Sequence, residues 1–97
     1  MKSSKDPHRA IELLAPLFLS LKVKRVEGGY LIKVKSAPEP PVVRSTIKAL
    51  AFMADLAKRL GHDRDGTRAA VRWTGAIPGA VSAWEQEALQ WLREDVG

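Results

Sequence analysis

The sequence contains no cysteine. Disulfides, thiolate metal ligands and cysteine nucleophiles are therefore excluded, and a cytoplasmic location is expected. A long apolar run is also missing. The longest, residues 13–21, is broken by a proline and a serine and is far shorter than the roughly 20 residues of a membrane span. Because Asp6, Pro7 and Glu12 interrupt the first residues, we expect neither a signal peptide nor a membrane partner.

Groups suited to catalysis are scarce. His8 lies near the N-terminus and His62 in a polar segment, both expected in solvent, and no motif places a serine beside a base. Gly28 and Gly29 have the setting of a hairpin turn, and the other glycines lack the context and lysine of a phosphate-binding loop. Residues 62–66 do not have the spacing of a calcium loop. We expect no catalytic residues, no metal site, no cofactor and no enzymatic activity.

The formal net charge of +5 favours a polyanionic partner. The charge is unevenly placed. Residues 1–35 carry eight Lys or Arg and three acids, whereas residues 76–97 carry one cation and four acids. The C-terminal segment is thus the acidic end of a basic protein.

The first part of the chain predicts a helix followed by a β-hairpin. Asp6 and Pro7 are typical of a helix start, and Pro16 is expected to end or kink the helix. Residues 21–35 are rich in β-branched residues on both sides of a Glu-Gly-Gly turn, and in the second arm apolar residues alternate with a largely cationic set. The lysines predict contacts with a phosphate backbone. They would equally keep a sheet edge soluble.

Residues 36–41, SAPEPP, predict a stiff proline-rich connector. The apolar pattern after it predicts a helix over residues 43–60 at the centre of the core, ended by Gly61. A short helix over residues 68–74 is expected next, capped by Asp65 or Thr67.

The stretch TRAAVRWTGAIPGAVSAWE, residues 67–85, predicts a helix-turn-helix. Gly75 would adopt the left-handed conformation that ends the first helix, and Val71, Val81 and Trp84 would fix the angle between the helices. The second helix is expected to run from Pro78 to about residue 94, with its tryptophans in the core.

Residues 75–85 resemble the turn and second helix of repressor-type helix-turn-helix domains, and residues 73–76 resemble a variant found in small regulators of phages, plasmids and other mobile elements. The resemblance implies a transcriptional or mobile-element regulator that binds double-stranded DNA. It covers about a fifth of the chain. A glycine-containing pair of helices is also a common packing unit without a DNA role.

The resemblance and the charges together define the residues expected to contact DNA. Gly79, Ser82 and Gln86 would approach base edges, with Gln86 suited to adenine. The remaining expected contacts are to phosphates and involve Arg64, Arg68, Arg72, Lys58, Arg59, Lys24, Arg25 and Lys33. Because only Ser82 and Gln86 can hydrogen-bond to bases, binding would be backbone-heavy, salt-sensitive and dimeric.

Two alternatives remain at this stage. Ile77, Pro78, Ala80 and Ala83 form a small, uncharged set that suits a protein partner or a homodimer contact. RNA binding through the basic hairpin is the other. The predicted fold is a mainly α (α+β) single domain over residues 1–97. It would comprise a helix and hairpin in residues 1–35, a connector in 36–41 and a three-helix unit with the helix-turn-helix in 42–95.

Overall fold

A computed structural model describes residues 3–95, and its architecture is α+β. Its elements are α1 (Pro7–Leu14), a 3₁₀ turn (Ala15–Leu17), β1 (Leu21–Val26), β2 (Gly29–Val34), β3 (Val42–Arg44), α2 (Thr46–Arg59), α3 (Arg64–Val71) and α4 (Ala83–Leu92). The three strands form one antiparallel sheet in the order β1-β2-β3. The predicted succession of a helix, a hairpin and a three-helix unit with a helix-turn-helix is wrong, because a third strand precedes α2 and the last two helices do not form that motif.

The start of α1 follows the prediction. The Asp6 carboxylate accepts a hydrogen bond from the backbone N–H of His8, and Pro7 occupies the first helical position. Regular α-helix ends at Leu14, and the chain continues through the 3₁₀ turn that contains Pro16. A proline cannot donate the next helical hydrogen bond, so the expected early end of this helix is confirmed.

The predicted hairpin is present. Glu27 and Gly28 form the turn, and the register pairs Val26 with Gly29. Gly28 has a φ of +84° and Gly29 a φ of +154°, which are conformations that side chains rarely allow. A Cβ on Gly29 would also overlap the carbonyl group of Arg44 on the neighbouring strand. This glycine therefore permits both the tight turn and the close approach of β3.

The predicted connector continues into a strand that the sequence analysis missed. Val42 and Val43 pair with Ile32 and Leu31 of β2. Consequently α2 begins at Thr46, after the N-cap Ser45, rather than at residue 43. The β-branched side chain of valine favours extended backbone, and here β2 supplies the hydrogen-bonding partners that keep both valines extended.

Helix α2 is the centre of the core, as predicted. It packs against α1, α4 and β2. Its buried residues include Leu50 and Met53 together with four alanines, which allow neighbouring elements to approach closely. Gly61, with a φ of +78°, follows the helix and ends it as expected.

Helix α3 lies one turn earlier than predicted and is capped by a different residue. The Asp63 side chain accepts a hydrogen bond from the backbone N–H of Gly66 at 2.7 Å. At the other end the left-handed residue is Arg72, with a φ of 53°, and not Gly75. The expected bend at Gly75 is therefore absent.

No helix-turn-helix is present in residues 64–92. Eleven residues separate Val71, the last residue of α3, from Ala83, the first residue of α4. A helix-turn-helix joins its helices through three or four residues. The predicted start of the last helix at Pro78 is wrong by five positions.

Trp73 explains why this segment leaves the helical path. Its side chain is 1% exposed and its backbone joins both ends of the described chain. Ser4 bonds to the backbone on either side of Trp73, and the N–H of Glu94 donates to the carbonyl of Trp73 at 2.8 Å. The indole fills the core, and these pairings satisfy backbone groups that a helix would otherwise satisfy internally.

The buried face of α4 differs from the prediction. Trp84, expected in the core, is 43% exposed, and Trp91 is half-buried. The residues that do face inward are Glu85, Ala88, Leu89 and Leu92. Because the helix begins at Ala83 with a buried Glu85, its face is rotated relative to the predicted stripe. None of the helices in residues 3–95 combines the length and apolar character needed to cross a bilayer.

Candidate nucleic-acid interface

The sheet has two unlike faces. On the inner face Tyr30 and Ile32 are buried, and β2 packs against α2. The outer face carries Lys22, Lys24 and Lys33, two of them exposed and the third half-buried. The apolar and cationic alternation predicted for the second arm is therefore confirmed.

The register brings the three outer lysines together. Lys22 lies directly opposite Lys33, and Lys24 lies opposite Leu31. Residues opposite each other in an antiparallel pair are about 5 Å apart, and positions i and i+2 along one strand are about 7 Å apart. Together with Leu31 and Pro41 the lysines line one shallow groove. We call this surface the lysine face.

The lysine face carries positive charge without compensation from the sheet. The three strands contain no acidic residue. Within residues 3–95, none of the three lysines forms an ion pair. Its apolar part consists of half-buried Leu31 and of Val43, which is 56% exposed. The arrangement can bind several anionic groups at once while an aliphatic surface contacts the groups between them.

Sequence reasoning named Lys22 among the five cations of the hairpin that suit a phosphate backbone, but kept only Lys24, Arg25 and Lys33 among the expected DNA contacts. The sequence nevertheless contains the information that places Lys22 opposite Lys33. A turn formed by Glu27 and Gly28 alone fixes the register, and that register pairs Lys22 with Lys33.

Arg25, also predicted to contact DNA, lies on the inner side of the sheet. It pairs with Tyr30. Burial raises the pKa of the Tyr30 hydroxyl, the charge of Arg25 acts in the opposite direction, and Glu12 and Asp6 add to the rise.

His8, expected in solvent, is half-buried, and its Nδ1 lies 2.8 Å from the Tyr30 hydroxyl. The structure thus separates Arg25 from the lysine face and fixes α1 to the hairpin.

Three arginines precede the predicted turn and were expected to contact phosphates. Their surroundings in the structure differ. The Arg68 guanidinium donates to the carbonyl oxygens of Trp91 and Gln90 at the end of α4. Arg72 is half-buried, with a guanidinium nitrogen 3.4 Å from a Glu94 oxygen. Arg64 is exposed and lies 3.9 Å from Asp65. Two of the three side chains are therefore already held by the C-terminal part of the fold.

Lys58 and Arg59 end α2, away from the sheet. Lys58 is exposed, whereas Arg59 pairs with Asp55 one turn earlier at 2.9 Å.

The predicted base-contacting residues lie at the start of α4 and in the loop before it. Gly79 is in the loop, Ser82 is the N-cap, and Gln86 is exposed on the first turn. Ser82 is engaged locally: its backbone N–H and its hydroxyl both donate to one carboxylate oxygen of Glu85, at 3.0 and 2.7 Å. Their role in base recognition remains a prediction, now without the motif that would present them to a groove.

Glu85 is one of only two polar residues among the described core. Burial by itself would raise the pKa of its carboxyl group. The hydrogen bonds from Ser82, aided by the charges of Lys48 and Arg44, outweigh burial and lower the pKa below its ordinary value. The ionised carboxylate thus stabilises the start of α4.

We expect Glu85→Gln to lower the free energy of unfolding by about 1 kcal/mol near neutral pH, because it removes the charged partner of Ser82. A lowered folded-state pKa contributes stability above the unfolded-state pKa, and this contribution is lost as the pH falls through the folded-state value. Urea unfolding of the parent and the variant should therefore show a difference in the free energy of unfolding that becomes smaller in acid. A difference that stays constant from neutral to acidic pH would contradict the stabilising role of the ionised Glu85 carboxylate.

The four residues proposed for a protein contact lie in or just after the loop between α3 and α4. Pro78, Ala80 and Ala83 are exposed, and Ile77 is half-buried. They are therefore available at the surface, but in an irregular segment rather than on a second helix.

Comparison with known proteins adds no assignment. No protein-family model, curated protein or solved structure matches this chain.

Proposed function

We propose that the protein binds double-stranded DNA through the lysine face, mainly by contacts with the phosphate backbone. The observation that carries the proposal is the juxtaposition of Lys22, Lys24 and Lys33 on one uncovered sheet face whose strands contain no acid. Ammonium groups at such spacing can each neutralise a phosphate and release its counterion.

The side chains of the lysine face favour a duplex over a single strand. Single-strand binding uses aromatic side chains on which bases stack. The outward positions of the three strands hold lysine and aliphatic residues but no aromatic one, since Tyr30 is buried on the inner face. RNA binding through the hairpin is therefore the less supported alternative.

The proposal is limited to DNA binding. A role as a transcriptional or mobile-element regulator was inferred from a helix-turn-helix, and the bend on which that motif depends is absent. Lysine contacts to phosphates position a protein on DNA but carry no sequence information. We therefore expect weak discrimination between DNA sequences.

Salt dependence tests the proposal. With three phosphates neutralised, a plot of log K against log salt concentration should have a slope of about −2.7 on duplex DNA. Fluorescence anisotropy with a labelled duplex across a salt series gives the slope, and a labelled single-stranded RNA of equal length serves as the comparison. Binding that is undetectable at low salt, or equally strong at all salt concentrations, would contradict the proposal.

A further inference from the structure

A groove lies between β3 and α2, on the side of the sheet opposite the lysine face. Val42 pairs with Ile32 of β2, and Arg44 pairs with Tyr30. Because both residues of β2 face inward, so do their partners on β3. Helix α2 packs against β2, and the inner side of β3 stays partly uncovered, with Val42 47% exposed. The resulting groove has a volume of about 220 Å³. We call it the β3 groove.

The walls of the β3 groove are mainly apolar. They come from the two strands, from the connector before β3 and from α2, and consist of Ile32, Val34, Ala37, Pro40, Val42 and Phe52. Such walls favour the burial of a hydrocarbon group. Pockets for drug-sized ligands have volumes of about 300–1,000 Å³, so a ligand of this groove must be smaller.

One cationic side chain lies in the β3 groove. The guanidinium carbon of Arg44 is 4.3 Å from the centre of the Phe52 ring, which is a cation–π contact. A guanidinium that contacts a ring through its face keeps its N–H donors for other groups. Within residues 3–95, Arg44 forms no ion pair. The groove therefore holds a positive charge beside apolar walls without an anionic partner.

This combination is complementary to a carboxylate attached to an apolar group. A guanidinium binds a carboxylate through two parallel hydrogen bonds, and nearby apolar walls strengthen the interaction because they exclude water. Glu39 also borders the groove and is exposed. Its negative charge disfavours an anion that carries more than one charge, such as phosphate. A ligand with one negative charge matches the single cation.

We propose that the β3 groove binds a small carboxylic acid, with its carboxylate on Arg44 and a short aliphatic chain between Val42 and Phe52. The lysine face lies on the other side of the sheet and takes no part in this site. The proposal is therefore independent of DNA binding and can be tested without nucleic acid.

Titration of the protein with hexanoate, followed in ¹⁵N–¹H NMR spectra, tests the proposal. We expect saturable binding with a Kd of about 1 mM or tighter, as suits a ligand of this size. The amides of Ala37, Val42 and Phe52 should shift, and those of Lys22 and Lys24 should not.

Three comparison probes separate the two parts of the ligand. Acetate lacks the aliphatic chain, hexanol lacks the charge, and inorganic phosphate lacks the chain and carries more charge. Each should bind at least about 10-fold more weakly than hexanoate, because each loses either the apolar burial or the charged hydrogen bonds.

A variant tests the role of the guanidinium. Arg44→Met keeps an unbranched side chain but removes the charge and the donors, and it should weaken hexanoate binding at least about 10-fold. Arg64→Met is the matched control, because Arg64 is exposed at the start of α3 and does not line the groove. Its affinity for hexanoate should equal that of the parent. Circular dichroism confirms that both variants are folded.

Several results would overturn the proposal. One is the absence of saturable hexanoate binding to the parent protein. Another is binding that acetate, hexanol or phosphate reproduces with equal affinity. Shift changes centred on the lysine face, or an affinity that Arg44→Met leaves unchanged, would likewise exclude the β3 groove as the site.

Discussion

Replacing Lys22, Lys24 and Lys33 together by glutamate is expected to weaken duplex binding by about 500-fold or more near 0.1 M salt. For each neutralised phosphate, the logarithm of the binding constant falls by about 0.9 per tenfold rise in salt concentration. Three contacts therefore contribute about 2.7 log units of binding constant at about 0.1 M salt, and this contribution vanishes near about 1 M. Charge reversal removes the contribution and adds repulsion. Anisotropy titration of the variant and the parent against one duplex measures the loss.

The matched control reverses three charges outside the lysine face. Lys58, Arg59 and Arg64 are exposed at the end of α2 and the start of α3, and their replacement by glutamate changes the formal net charge from +5 to −1, as the lysine-face variant does. The control variant is expected to lose only the part of the DNA affinity that depends on net charge. Equal losses in both triple variants would show that binding depends on overall charge, and a larger loss in the control would move the interface to α2 and α3.

Gly75→Ala is expected to lower the free energy of unfolding by about 2–3 kcal/mol, the usual cost of overpacking a core. A Cβ at this position would lie 2.6 Å from the Nε1 atom of Trp73 and 2.9 Å from the backbone carbonyl oxygen of Lys5. Neither neighbour can move cheaply, because the indole is buried and the adjacent Ser4 is hydrogen-bonded on both sides of Trp73. Urea denaturation measures the change.

Gly79→Ala provides the control in the same loop. No atom lies within 4 Å of a Cβ built on Gly79, and the residue is exposed. Its substitution should change stability by no more than about 0.5 kcal/mol. If both alanine variants were equally stable, the close packing of Gly75 against Trp73 would be wrong.

Features that depend on neighbouring residues could be predicted from the sequence. The hairpin is specified by alternation of side chains and by a Glu-Gly-Gly turn, and the turn length then fixes which lysines face each other. The cap of α1 at Asp6 and the interruption at Pro16 are similarly local. The lysine face was therefore predictable in outline. Lys22 was named among the cations of the hairpin, and only its position opposite Lys33 was not worked out.

Features that depend on distant parts of the chain could not be predicted. The spacing around Gly75 resembles a helix-turn-helix, but the segment is not helical, because Trp73 is buried and its backbone is joined to Ser4 and Glu94. Such long-range contacts override local preference. Strand β3 was missed for a related reason, since three residues are too few to show periodicity and their partners in β2 lie ten to fourteen positions earlier.

The long-range contacts show which cationic side chains are already engaged within the fold. Arg68 and Arg72 were assigned to phosphates from their positions before a turn, yet their guanidinium groups contact the end of α4 and Glu94. The lysines of β1 and β2 have no such partners among the described residues. The positive charge of Lys22, Lys24 and Lys33 is therefore left available to a polyanion.

The location of the DNA contact tests the central claim most directly. In ¹⁵N–¹H NMR spectra of the protein titrated with a short duplex, we predict that the largest amide shift changes fall in β1 and β2, with Lys22, Lys24, Leu31 and Lys33 among them. Changes concentrated in residues 64–86, with the sheet unaffected, would contradict the account and return the interface to the segment that resembles a helix-turn-helix.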